Sequence, residues 1–209
     1  NLCGTRWIER HDTVLTTRHL LIPIVQALEE LCEHSNLEAS RNAKALLNSM
    51  DAEFLVSIVI LDVTLTLTKG LAEALQKSAI DLLCTKSLIA DVQEQLQKWR
   101  DESADKFGEL WEKILETASA IEIDLTPPRR ICGRQINCAN LPTADTKDYW
   151  RLTIFVPFLD GLLVNLQDRF ASFSGVAAGL SVLIPAIAKR HEFPFLELKP
   201  SVQHFASVV

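Results

Sequence analysis

Glycine is scarce in this chain of 209 residues, and methionine and tyrosine occur once each, as Met50 and Tyr149. No glycine-rich phosphate loop, zinc-peptidase helix or nucleophile elbow is present, which excludes the enzyme classes that carry such local signatures. A basic excess is also missing: 21 Lys and Arg face 27 Asp and Glu, a net charge of −6. That balance argues against a free-standing nucleic-acid module and leaves room only for a local basic patch. Cysteine is sparse, odd in number and scattered (Cys3, Cys32, Cys84, Cys132, Cys138). This is not a disulfide scaffold, and a reducing compartment is expected. Cys132 and Cys138 have no second pair and no histidine at ligand spacing, so they read as loop thiols rather than a metal site. No apolar run reaches the roughly 18 residues a bilayer crossing requires. A signal peptide pattern is absent. The chain starts at Asn1 rather than at a methionine, and reads as a piece of a longer product.

What is present is apolar and periodic. Hydrophobic residues make up 48% and charged residues 23%, the balance of a chain that folds around a core. Residues 51–101 should organise it. They open on FLVSIVILDVTLTL and close on SAIDLLCTKSLIADVQEQLQKW, and predict two long antiparallel core helices. The Val, Ile and Thr content of the first run favours a strand. Its continuation through Leu71 and Leu75 without a turn signal favours a helix, apolar on most faces and therefore central. Asp51 is its expected cap and Gly70 its weak point. Ser78 should cap the next helix, with Leu82, Ile89, Val92, Leu96 and Trp99 on one face.

Ahead of this pair, Asp12 or Thr13 should cap a helix whose face is Val14, Leu21, Val25, Leu28 and Cys32, with Ile24 and Leu31 beside it and a kink at Pro23. Asn36 or Ser35 restarts a short helix with Leu37, Ala43, Leu46 and Leu47 inward. Behind the pair, Phe107, Leu110, Trp111, Ile114, Ala118 and Ile121 mark another helix, ending before Thr126-Pro127-Pro128. Residues 124–146 form a long Pro/Arg loop. From Lys147 a helix with the stripe Ile154, Phe158, Leu162, Leu166 and Phe170 follows, kinked at Pro157. Another apolar helix is broken at Pro185, and an irregular tail closes the chain. The division is 1–123 for a first helical layer, 124–146 for the loop and 147–209 for a second layer. The fold class is all-α, a bundle of long kinked helices.

Candidate chemistry is thin. His11 and His19 read as surface or capping histidines, and Asp62 and Asp160 as hydrogen-bonded structural acids in apolar helices. In CGTRWIERHD, Arg6 and Trp7 adjoin just before a helix. The indole would staple the helix entrance, or offer a stacking surface to a displaced base with the guanidinium on a phosphate.

The segment LCGTRWIERHDTVL resembles the threonine-arginine-tryptophan segment of hAT-superfamily transposases and their domesticated relatives, in the branch with the zinc-finger MYM-type and THAP-containing proteins. The same branch pattern is matched by Leu75-Gln76-Lys77-Ser78, by Pro128-Arg129, and by the later helix with Tyr149, Arg151, Pro157, Leu159, Asp160, Arg169 and Phe170. The ordered set covers about residues 2 to 190.

The resemblance implies that this is the helical domain inserted into an RNase H-like core, working in the nucleus. In the family, three carboxylates of that core bind two divalent metal ions and cut DNA; none can be matched here, so the chain alone carries no catalytic residue, metal ligand or cofactor. Trp7 matches the family tryptophan near the flipped base or hairpin of the DNA end, and Arg6 matches its neighbour. Arg10, Arg129 and Arg130 complete the candidate DNA contacts. The expected role is contribution to transposon-end binding within a larger protein. The alternative is a domesticated nuclear protein–protein scaffold. Expected partners are DNA, other proteins or a second copy held through a region beyond Val209, and no membrane.

Overall fold

A computed structural model describes residues 6–33, 36–76, 82–128 and 145–170, with isolated positions at 180, 183–185, 189, 198–199 and 202–203; for residues 6–10, 82 and 83 it describes the backbone alone. Most of the expected helix around Pro185, the expected cap Ser78 and most of the Pro/Arg loop lie outside the described residues. All regular elements described are helical: α1 Arg6–His19, α2 Leu21–Cys32, α3 Leu37–Ser49, α4 Ala52–Gln76, α5 Leu82–Asp101, α6 Ser103–Ala120, α7 Thr146–Trp150, a π-helical turn Arg151–Phe155 and α8 Val156–Phe170. The all-α expectation holds.

Helix α4 is the centre. Asp51 caps it, its Oδ1 accepting from the Phe54 N–H at 2.9 Å. Leu55, Val56, Ile58, Val59, Ile60, Thr64 and Leu71 are all buried, on more than one side of the helix. The threonine hydroxyls of its β-branched run are satisfied within the helix. Thr64, Thr66 and Thr68 donate to the carbonyls of Ile60, Asp62 and Thr64 at 2.9, 2.7 and 3.0 Å. Against the expectation that no apolar run is long enough, α4, with 25 residues, is long and apolar enough to cross a membrane, Asp62 included. Here it packs against α1, α5, α6 and the π-helical turn.

The remaining core comes from α5 and α6, through Ile89, Val92, Leu96, Phe107, Leu110, Trp111 and Ile114. Only Glu102 separates the two helices, and its N–H still reaches the Lys98 carbonyl at 2.9 Å. At its far end α6 closes with Glu122 in the left-handed region (φ 53°) and the Ile123 N–H on the Ala118 carbonyl at 3.0 Å. The chain then passes Leu125, whose carbonyl accepts the buried Trp150 indole N–H at 2.9 Å. That bond fastens the segment leaving α6 to the helix that returns after the loop.

Three expectations shift. The first helix starts at Arg6, so Asp12 and Thr13 are interior rather than capping: the packed row through His11, Val14 and Arg18 against α4 extends the helix upstream. Its break falls at Leu20, not Pro23. Pro23 stands in the first turn of α2, where a missing N–H is tolerated, and its ring disfavours the carbonyl geometry four residues earlier, at His19. In the last helix, Phe155, Leu159 and Leu163 are buried, while Ile154, Phe158, Leu162 and Leu166 are half-buried beside them. The wide π turn just before Pro157, closed by the Val156 N–H on the Arg151 carbonyl, relieves the proline and turns the buried row by one residue.

Two substitutions test this packing. At Gly70, an added Cβ would meet nothing within 4 Å, so Gly70→Ala should raise unfolding free energy by about 1 kcal/mol in denaturant titrations. Conversely, Trp150→Phe removes the donor from the Leu125 carbonyl and should cost about 1–3 kcal/mol.

The start of helix α1 as candidate nucleic-acid interface

Where α1 begins follows from how it is joined to α4. Helices α2 and α3, of 12 and 13 residues, lie along each other, so the chain leaving α1 at His19 comes back close by at Asp51. The end of α1 therefore lies near the start of α4, and α1 runs antiparallel to it. The pair Asp12–Lys69, at 2.9 Å, fixes the register. Six residues upstream of Asp12 is about 9 Å of helix. Arg6 thus stands level with the C-terminal end of α4, where Gln76 closes that helix and, beyond residues 77–81, Leu82 opens α5.

Arg6, Trp7 and Arg10 all fall on the first two turns of α1. By helical register, positions 7 and 10 lie in the rows of His11 and Val14, which are buried and half-buried, and position 6 falls on the flank of the helix. Arg129 and Arg130 lie outside the described residues.

Polar groups gather along the seam between α1 and its neighbours. His11 is buried, against the expectation of a surface or capping histidine; His19 is exposed. The Nδ1 of His11 has no hydrogen-bond partner among the described residues, and neither has Gln76 Oε1 at the end of α4. Buried polar atoms of this kind ordinarily find a partner. Further along α1, Arg18 Nη2 donates to Thr117 Oγ1 of α6 at 3.0 Å, and Thr117 donates in turn to the Lys113 carbonyl at 2.8 Å. The row of α1 that packs inward is polar at two of its turns, a feature its sequence pattern hid because Val14 lies between them.

Elsewhere Lys69, Arg100, Lys106 and Arg151 are paired with acids. Hydrogen bonding to Asp12, then its negative charge, raises the Lys69 pKa. Arg100, on α5, holds Asp160 of α8 with Nε at 2.5 Å and Nη2 at 3.3 Å, and this bond raises its pKa too. Asp160 is thus a paired structural acid that ties α8 to α5. Lys106 pairs with Glu109 at 2.6 Å, and Arg151 bridges Asp148 at 3.1 Å and Ser103 Oγ at 3.3 Å. The Arg151 and Arg100 contacts, which the periodicity of α8 could not show, depend on pairing across helices.

Among the described residues no group of three or more His, Cys, Asp or Glu is placed to hold a metal ion. These residues do not supply the donor set that two-metal phosphoryl transfer needs.

No protein-family model matches the chain, and no solved structure matches it. The chain is similar to the human (Homo sapiens) 52 kDa repressor of the inhibitor of the protein kinase, 24% identical over 199 residues, covering 92% of this chain and 26% of that protein. It is likewise 24% identical, over 205 residues and with the same coverage, to the mouse (Mus musculus) protein of that name. The chain spans about a quarter of the length of these curated relatives.

The Arg18–Thr117 bond can be tested directly. Thr117→Val leaves a guanidinium at the α1–α6 contact without its acceptor, and should lower stability by about 1.5–3 kcal/mol, read from the denaturation midpoint at unchanged m-value.

Proposed function

We propose that this chain is the helical domain of an hAT-transposase-derived nuclear regulatory protein, and that it contributes a DNA contact at the start of α1. The reading joins two supports. One is the ordered resemblance through Arg6-Trp7 to Arg169-Phe170, together with a likeness to the repressor along 92% of the chain. The other is the grouping of Arg6, Trp7 and Arg10 on the first two turns of α1, beside the buried and unpartnered His11 Nδ1 and Gln76 Oε1. This grouping carries the proposal. The arginine positions would meet phosphates, and the tryptophan at the seam would support an unstacked base at a DNA end. Arg129 and Arg130 of the loop would extend the basic patch. The domain works without a cofactor of its own, and any cutting chemistry belongs to carboxylates on other parts of a longer protein.

A second reading is a protein–protein scaffold that makes no DNA contact. The net charge of −6 and the engagement of Lys69, Arg100, Lys106 and Arg151 by acids favour it, because they leave fewer cations to neutralise phosphates.

Titration of the chain with a hairpin-ended duplex at several salt concentrations separates the two. DNA contact predicts binding that weakens steeply with salt. Trp7→Ala should then lose about 1–3 kcal/mol of affinity, or roughly fivefold to 150-fold, and Arg6→Ala should reduce the salt slope by about one. Absence of binding at low salt, or a Trp7→Ala chain that binds as well as the parent, sinks the DNA reading and leaves the scaffold.

A further inference from the structure

Several apolar side chains stay exposed on the α2–α3 hairpin, where Leu37 and Leu46 are 73% and 51% exposed against their expected place in the core. Buried polar atoms without a hydrogen-bond partner are fewer. Among the described residues they belong to His11, Arg18 and Gln76. Arg18 still bonds Thr117 Oγ1 through its Nη2. His11 Nδ1 and Gln76 Oε1 remain, and the His11 side chain is deep in the fold, its residue only 9% exposed.

The two atoms face one stretch of the α1–α4 seam. The Asp12–Lys69 pair sets the antiparallel register. His11 adjoins Asp12, and Gln76 lies about two turns past Lys69 in the same row of α4. Ala72 stands between Lys69 and Gln76 on that face, so α4 fills the gap with only a methyl group. Along the helix axes, His11 and Gln76 are about 9 Å apart. In a helix the Cα–Cβ bond tilts toward the N-terminus. Because α1 and α4 are antiparallel, the His11 side chain leans toward position 7 and the Gln76 side chain leans back toward Ala72. The two polar ends converge over the gap, next to the position of the entry tryptophan.

We infer that His11 Nδ1 and Gln76 Oε1 hold the Watson–Crick edge of one unpaired nucleobase between α1 and α4. The inference rests on the DNA reading above and adds to it the group that is read. An amide oxygen only accepts, so Gln76 Oε1 requires an N–H donor; an imidazole nitrogen either donates or accepts. A phosphate oxygen offers Oε1 no donor, and the backbone of DNA therefore cannot satisfy the pair. The Watson–Crick edge of a base carries a donor and an acceptor side by side. In a duplex that edge is already bonded, so the slot selects an unpaired base. Leaving both atoms buried and unbonded destabilises the free chain, and a base edge removes that penalty on binding.

Titration of the 209-residue chain with three hairpin duplexes is the test. Each carries one unpaired nucleotide at its open end: thymine, N3-methylthymine or an abasic residue. The methyl group removes the N3–H donor and keeps the stacking face. The parent should bind the thymine probe about tenfold tighter than the N3-methylthymine probe, and the abasic probe more weakly still. His11→Leu and Gln76→Met should each bring the ratio of thymine to N3-methylthymine affinity toward one. His11→Leu should also raise the denaturation midpoint of the free chain, and circular dichroism checks that both variants keep the parent's helix content. A parent that binds thymine and N3-methylthymine equally, or variants that keep the parent's ratio, overturn the inference and leave the DNA contact standing. A lowered midpoint for His11→Leu assigns the imidazole to the fold and overturns it as well. A parent that binds none of the probes overturns the inference and the DNA reading together.

Discussion

The structure depends on covering α4. A helix of 25 residues with buried side chains on more than one side cannot be stable against water, since each fully buried aliphatic side chain contributes about 1.5–3 kcal/mol only when it is enclosed. Helices α1, α5 and α6 and the π turn at Phe155 each take one sector of its surface. The order of elements along the chain follows from that demand. One helix precedes α4 and runs back along it, and two follow. The returning segment after the long loop is locked in by the Trp150 indole on the Leu125 carbonyl. Polar bonds between helices, such as Asp12–Lys69 and Arg100–Asp160, set register at the rim of this core. Both pairs are partly exposed and contribute little to stability compared with the burial they align.

Much of this could be read from the residues. Asn36 and Asp51 were identifiable caps because each supplies an acceptor at the right offset; Asn36 Oδ1 takes the N–H groups of Glu38 and Ala39 at 3.0 and 3.2 Å. The inward faces of α5 and α6 followed from spacing, since Ile89, Val92, Leu96, Phe107, Leu110 and Ile114 are all buried. The helical state of the Val/Ile/Thr run was legible from its length rather than its propensity, and burial on more than one side of α4 outweighs that propensity. What escaped were features set by a partner surface. The start of α1 lay hidden because polar residues, His11 among them, occupy its packed row. The buried row of α8 was missed by one residue, because a π turn adds a residue to the period and nothing in a hydrophobic pattern announces it.

The candidate site was legible only as a resemblance. Arg6 and Trp7 carry no local signature beyond an indole beside a guanidinium, and the ordered set of later motifs gave them weight. Structure adds a location that the pattern could not. The antiparallel course of α1 brings the two positions level with the end of α4. A place at the start of a packed helix would suit a stacking group, which works best when rigidly backed. It is also the arrangement of an ordinary stapled helix entrance. The two differ in whether the seam admits a base.

The same reasoning separates the two ends of the molecule by chemistry. At the start of α1, buried polar atoms and arginine positions suit a charged, hydrogen-bonding ligand. At the α2–α3 hairpin, the face with Leu20, Ala27, Leu31 and Leu46 suits an apolar helix and offers a phosphate nothing. The paired cations along the body of the bundle belong to neither.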